Sequence, residues 1–122
     1  MINNIAVVED NPDNRLLLQA ILSDTYSLTE YETGAAALEG LALELPDLVL
    51  LDISLPGMDG VEVLQHIRAS PRLHKLPVIA LTAHAMSGDR ERFLAAGFDG
   101  YFTKPIVDDE ALLRTIEEGL GR

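Results

Sequence analysis

Apolar and polar positions alternate along this chain in two rhythms. Strand-like runs, rich in apolar residues and bounded by turn formers, fall at 5–8, 26–31, 48–51, 77–81 and 100–102. Between them, at about 12–23, 35–44, 60–69, 87–96 and 108–120, the spacing of apolar positions predicts helices. In the last of these, Leu112, Leu113, Ile116 and Leu120 make one apolar face. The punctuation agrees. Pro12 directly after Asn11 suits a first helical turn capped by that asparagine, Asp108 is placed to cap the last helix, and Gly97 is a natural stop for the fourth.

Five strand–helix units in strict alternation imply an α/β fold with a five-stranded parallel sheet covered on both faces. Right-handed crossovers leave few topologies, and the doubly wound, flavodoxin-like order 2-1-3-4-5 is the expected one. Strands 1 and 3 are then neighbours, with a ligand crevice at their carboxyl ends. No linker, tandem repeat or low-complexity segment interrupts the pattern, so residues 1–122 are expected to form a single domain, long enough for its own core.

Twenty acids against nine bases give a net charge of −11, which argues against direct binding to DNA or to an anionic membrane. Without cysteine, disulfides, thiolate metal sites and cysteine nucleophiles are ruled out. Residues 1–30 carry neither a signal core nor a spanning segment, so a cytoplasmic location is expected.

The acids matter most where strands end. Glu9 and Asp10 close the first run and Asp52 closes the third, so all three should share the crevice. Two unit charges about 5 Å apart repel by roughly 3 kcal/mol at an effective dielectric near 20, and three such pairs cost on the order of 10 kcal/mol. Packing gives no reason for that arrangement, whereas a hard divalent cation such as Mg²⁺, which takes carboxylate and phosphate oxygens, does. Thr82 follows the fourth run and Lys104 the fifth, which brings a hydroxyl and an ammonium to the same rim as potential partners of a phosphoryl oxygen.

Together, Glu9-Asp10, the Asp52 loop with Pro56-Gly57 and Asp59-Gly60, Leu81-Thr82-Ala83 and Lys104-Pro105 resemble the receiver domain of bacterial two-component response regulators across essentially the whole chain. The resemblance implies that Asp52 takes a phosphoryl group from a phosphohistidine, borne by a histidine kinase or a histidine phosphotransfer protein. Mg²⁺ would be held by Asp10, Asp52 and the Ser54 backbone carbonyl, with Glu9 acting through water. Lys104 would be aimed inward by a cis peptide at Lys104-Pro105. Self-phosphorylation and autodephosphorylation at Asp52 are implied, without turnover of a separate substrate. Thr82 and Tyr101 would switch the surface made by helix 4, strand 5 and helix 5, while Ser54, Ala83 and His84 would tune the lifetime of the phosphoryl group. This interpretation requires the Asp52 carboxylate to lie within a metal's span of Asp10 and to be open to solvent.

Helix 1 carries more apolar surface than one sheet contact needs, with only Arg15, Gln19 and Ser23 forming a polar stripe. Either the neighbouring last helix covers the excess, or it is an exposed docking strip for the phosphodonor, for which the expected residues are Arg15, Leu18, Leu22 and Pro105. A stand-alone receiver acting through an unknown protein target, monomeric or weakly dimeric, is expected. A haloacid-dehalogenase-type enzyme would need an acid two residues past Asp52, where Ser54 stands. A P-loop nucleotidase lacks its motif here, and an acidic crevice would repel the cofactor phosphate of a flavodoxin-like electron carrier. The remaining rival is a non-catalytic receiver used as a binding module.

Overall fold

A computed structural model of the chain describes residues 3–83, 88–104, 106 and 108–121. The elements run β1 (Asn4–Val8), α1 (Pro12–Leu22), β2 (Ser27–Tyr31), α2 (Gly34–Leu43), β3 (Leu48–Asp52), α3 (Gly60–Ala69), β4 (Val78–Thr82), α4 (Asp89–Ala96), β5 (Gly100–Thr103) and α5 (Asp109–Gly119). The strands form one parallel sheet in the expected order β2-β1-β3-β4-β5, with Val8 opposite Leu51 and Asp52 opposite Leu81.

Side chains alternate across a strand, so each buried run supplies two cores. Ala6, Val8, Val49, Leu51, Val78 and Ala80 pack with Ala37 and Leu41 of α2, Val63, Leu64 and Ile67 of α3, and Phe93 of α4. Ile5, Val7, Leu48, Leu50, Ile79 and Leu81 pack on the other face with Leu18 and Leu22 of α1 and Leu112 and Ile116 of α5. β3 and β4 are buried throughout, whereas the edge strands β2 and β5 are only half covered. No described helix is long and apolar enough to cross a membrane.

The expected caps form. Asn11 Oδ1 accepts the Asp13 and Asn14 N–H groups, Asp108 Oδ1 accepts the Ala111 N–H at 3.0 Å, and Gly97 ends α4 in the left-handed region at φ 115°. Most element boundaries lie within a residue or two of the expected ones, and some of the shifts matter. Tyr26 precedes β2, its N–H closing on the Leu22 carbonyl and its ring buried in the core. Asp52 and Thr82 are the last residues of their strands, so sheet pairing holds both backbones. Ser87, expected to begin the fourth helix, lies outside the described residues.

Arg68, which nothing in the sequence singled out, ties the back of this sheet together. Its guanidinium donates to the carbonyls of Gly97, His74 and Leu76 and to Asp99 Oδ2, and that same carboxylate oxygen accepts the Val78 N–H at 2.8 Å. One fork thereby joins α3 to the end of α4 and to the entries of β4 and β5.

Candidate functional site

Because β1 pairs with β3, the two acidic strand ends open side by side. Glu9 is fully buried; its Oε1 accepts the Asn11 N–H at 3.2 Å and Asn14 Nδ2 at 3.3 Å, and its Oε2 accepts Lys104 Nζ at 3.1 Å. Asp52 Oδ1 accepts the Ser54 N–H at 3.0 Å, while Oδ2 stands 3.2 Å from Lys104 Nζ. Asp10 is exposed at the rim, and one carboxylate oxygen from each of Glu9, Asp10 and Asp52 lies within 4.8 Å of the others. Lys104 enters from the end of β5, its own N–H held by the Thr82 carbonyl at 2.7 Å.

Three carboxylates thus face one ammonium. Burial, and then the neighbouring Asp52 charge, push the Glu9 carboxyl above its usual range, outweighing the relief from Lys104 and from the Asn11 amide. Burial works against the Lys104 charge, but Asp52, Glu9 and the hydrogen bonds to both overcome it and raise the lysine. The remaining negative charge, the all-oxygen donor set and the exposed Asp10 fit a hard divalent cation.

The distance condition on Asp10 and Asp52 is met; the exposure condition is not, although the cover over Asp52 is polar and consists of contacts that a cation or a phosphoryl group can exchange. The Asp52 side chain is only 2% exposed. Lys104, itself 14% exposed, lies across one of its oxygens, and the Ser54 amide takes the other.

The other expected residues divide. Thr82 is buried at the end of β4, and Ser54 and Ala83 are exposed around the cleft. Tyr101 is half-buried, with its ring 5.9 Å from that of Phe93. His84 and Pro105, and with Pro105 the cis peptide at Lys104-Pro105, lie outside the described residues. Two docking residues need correction. Leu18 and Leu22 are buried against the sheet, and the apolar excess of α1 is carried instead by Leu16, 62% exposed, and Leu17, 38% exposed. Arg15 is not free either: Nη1 donates to the Glu9 carbonyl at 2.8 Å and Nη2 reaches Glu32 Oε1 at 3.4 Å.

Loop residues of the Asp52 segment have mechanical roles. Gly57 adopts φ 74°, a turn conformation that a side chain would strain. Asp59 caps α3 through the Glu62 N–H at 3.0 Å. Gly60 donates its N–H to the Ile53 carbonyl, and a Cβ there would run into the Asp52 carbonyl oxygen and lie 2.8 Å from Ile53 Cα. Gly60→Ala should therefore cost about 3 kcal/mol, as overpacking against backbone does. A urea midpoint that drops with unchanged slope would show it; an unmoved midpoint would reject the close approach.

A five-stranded parallel doubly wound sheet with an acidic pocket and an inward lysine defines a receiver-type signalling domain. The chain belongs to the response regulator receiver domain family, whose model matches residues 5–117, and is a receiver domain of two-component signalling. It is 36% identical over 122 residues to the polar-differentiation response regulator DivK of Brucella ovis, covering 99% of this chain and 98% of that protein. It is 41% identical over 121 residues to the signal transduction histidine-protein kinase BarA of Escherichia coli, covering 96% of this chain but 13% of the kinase. A crystal structure of the receiver domain of sensor histidine kinase PA1611 from Pseudomonas aeruginosa, with a magnesium ion coordinated in its active site cleft, superposes with a TM-score of 0.89 at 35% identity over the full length of both chains. Receiver domains bind Mg²⁺ at an acidic pocket and partner with histidine kinases or phosphotransfer proteins.

Proposed function

We propose that this domain is a phosphoacceptor switch: Asp52 takes a phosphoryl group from a phosphohistidine partner and the change is read on the face made by α4, β5 and α5. One observation carries the reading. A single ammonium, Lys104, bridges two buried carboxylates, Glu9 and Asp52, while a third, Asp10, stands exposed within 4.8 Å.

Asp10 and Asp52, with the Ser54 carbonyl, would hold Mg²⁺, and Glu9 would act through water. When bound, the ion would supply positive charge opposite the transferring oxygens. A carboxylate oxygen of Asp52 attacks phosphorus as the bond to the donor nitrogen breaks, leaving an aspartyl phosphate. Lys104 then exchanges its bond to Asp52 Oδ2 for one to a phosphoryl oxygen. Its charge stays paired throughout, and the burial of Asp52 keeps competing water out until the donor arrives. The Thr82 hydroxyl, at the end of the adjacent strand, is the neutral donor to the same group.

The readout face adjoins the pocket. A cavity of about 700 Å³ between α4 and α5 is lined by Arg90, Tyr101, Phe102, Thr103, Lys104, Asp108 and Thr115. Lys104 thus borders both acid pocket and cavity, and a rearrangement of its side chain on phosphorylation would reach the cavity wall beside Tyr101. Such small displacements at a packed surface can bias two arrangements of a docking face.

Incubation with acetyl phosphate or phosphoramidate and Mg²⁺ should add one phosphoryl group by intact mass, and a chelator should prevent it. Absence of any adduct with either donor would favour the non-catalytic binding module.

A further inference from the structure

Helix α1 begins by wrapping Glu9. Its cap residue and Asn14 hold the Glu9 carboxylate, and one turn further its fourth residue, Arg15, reaches back to the Glu9 carbonyl at 2.8 Å. The N–H of the same Glu9 donates to the Tyr31 carbonyl of β2 at 3.0 Å. Main-chain groups of Glu9 are therefore pinned from both sides, by the sheet edge on one and by a guanidinium on the other. Asp10 is the next residue, and its position relative to Asp52 is set by that pinned peptide. The Arg15 side chain is only 15% exposed, too covered to present much surface to a partner, while Glu32, its outer ion-pair partner, is 76% exposed.

We propose that Arg15 is a positioning residue of the acidic pocket: by holding the Glu9 carbonyl it fixes the Glu9–Asp10 turn in the geometry that lets Asp10 and Asp52 share one cation. The inference rests on the reading of the pocket as a Mg²⁺ site. It replaces the docking role expected for Arg15 from the sequence.

Charge and position predict opposite signs, which makes the role separable. Removing a cation beside an acidic site should strengthen Mg²⁺ binding by Coulomb's law alone. Losing the clamp should weaken it, and groups that orient metal ligands are typically worth about tenfold or more in affinity. Titration calorimetry with MgCl₂ decides between them, since the chain has no tryptophan to report binding. Arg15→Met should weaken Mg²⁺ affinity about tenfold, by the same standard, and slow phosphorylation by acetyl phosphate, with no protein donor present. Arg15→Lys, which keeps the charge and one donor, should fall between Arg15→Met and the wild type. Glu32→Gln should leave the affinity unchanged, because the Glu9 contact survives. Tighter or equal Mg²⁺ binding by Arg15→Met overturns the proposal, as does an effect seen only with a protein phosphodonor, which would restore the docking role. Should Arg15→Met fail to fold, Arg15→Gln, neutral and too short for the carbonyl, takes its place with the same expected sign. A wild-type chain that binds no Mg²⁺ would overturn the functional reading and this inference together; a wild type that binds Mg²⁺ and accepts phosphate beside an unaffected Arg15→Met would overturn this inference alone.

Discussion

Asp52→Asn is expected to abolish phosphoryl incorporation completely, from acetyl phosphate or phosphoramidate, while leaving the fold intact. The substitution is nearly isosteric. The carboxamide oxygen can still accept the Ser54 N–H that Asp52 Oδ1 accepts at 3.0 Å, and Lys104 keeps Glu9 at 3.1 Å. What disappears is the anionic nucleophile, for an amide does not displace nitrogen or acetate from phosphorus. Stability should shift by no more than about 1 kcal/mol in either direction, because relief of repulsion against Glu9 offsets the loss of one Lys104 partner. Intact mass after incubation with donor and Mg²⁺ checks the first expectation, and a urea titration checks the second. An adduct that persists would place the acceptor elsewhere, with the exposed Asp10 first in line. An adduct lost together with the cooperative transition would show only that the chain had unfolded.

Strand ends were legible because buried runs bounded by turn residues locate the carboxyl edge of a parallel sheet without any knowledge of side-chain contacts. Glu9, Asp10, Asp52, Thr82 and Lys104 were placed on one rim by that logic, and the structure brings the acids and the lysine together there. The phase of α1 was not legible. Leu16, Leu17, Leu18, Ala20, Ile21 and Leu22 leave almost no polar face from which to orient the helix, so periodicity could not say that Leu18 and Leu22 face the sheet and Leu16 and Leu17 face out.

Arg68 was missed, and Arg15 was expected to dock a partner rather than to hold a carbonyl, for another reason. Most of what they hold is backbone carbonyl, which every residue possesses, and no side-chain pattern marks it. The burial of Asp52 was missed because the group covering it, Lys104, arrives from the far end of the chain. The position of a strand end carries no information about a side chain that reaches it from another strand.

Lys104→Met should cost about 3–5 kcal/mol in the absence of divalent cations, the usual penalty for removing one partner of a buried ion pair. Glu9 and Asp52 are both almost wholly buried, and among the described residues Lys104 is the cation paired with both. Methionine fills much of the same volume, so the loss is electrostatic rather than a cavity. The loss should depend on pH with a definite sign. Burial and the Asp52 charge already raise the Glu9 carboxyl above its ordinary value of 4.5, and Lys104 is among the groups that hold it down. Without the lysine it rises further, so the folded chain binds a proton more tightly than the unfolded one. The destabilisation is therefore fully developed above the folded pKa of Glu9, shrinks as pH falls through it, and its Glu9 part is gone below 4.5. Mg²⁺ should restore much of the lost stability, because it binds the folded chain only and brings positive charge to the same oxygens. For the switch proposed here, phosphate can still be added to Asp52 in this variant while partner affinity ceases to respond to it, since the group that would relay the change to the cavity wall is gone. Urea midpoints across pH with and without MgCl₂, and partner affinity with and without phosphoryl donor, are the measurements. Equal midpoints for Lys104→Met and wild type without Mg²⁺ would reject the buried ion triad, and a partner response equal in both proteins would reject the relay.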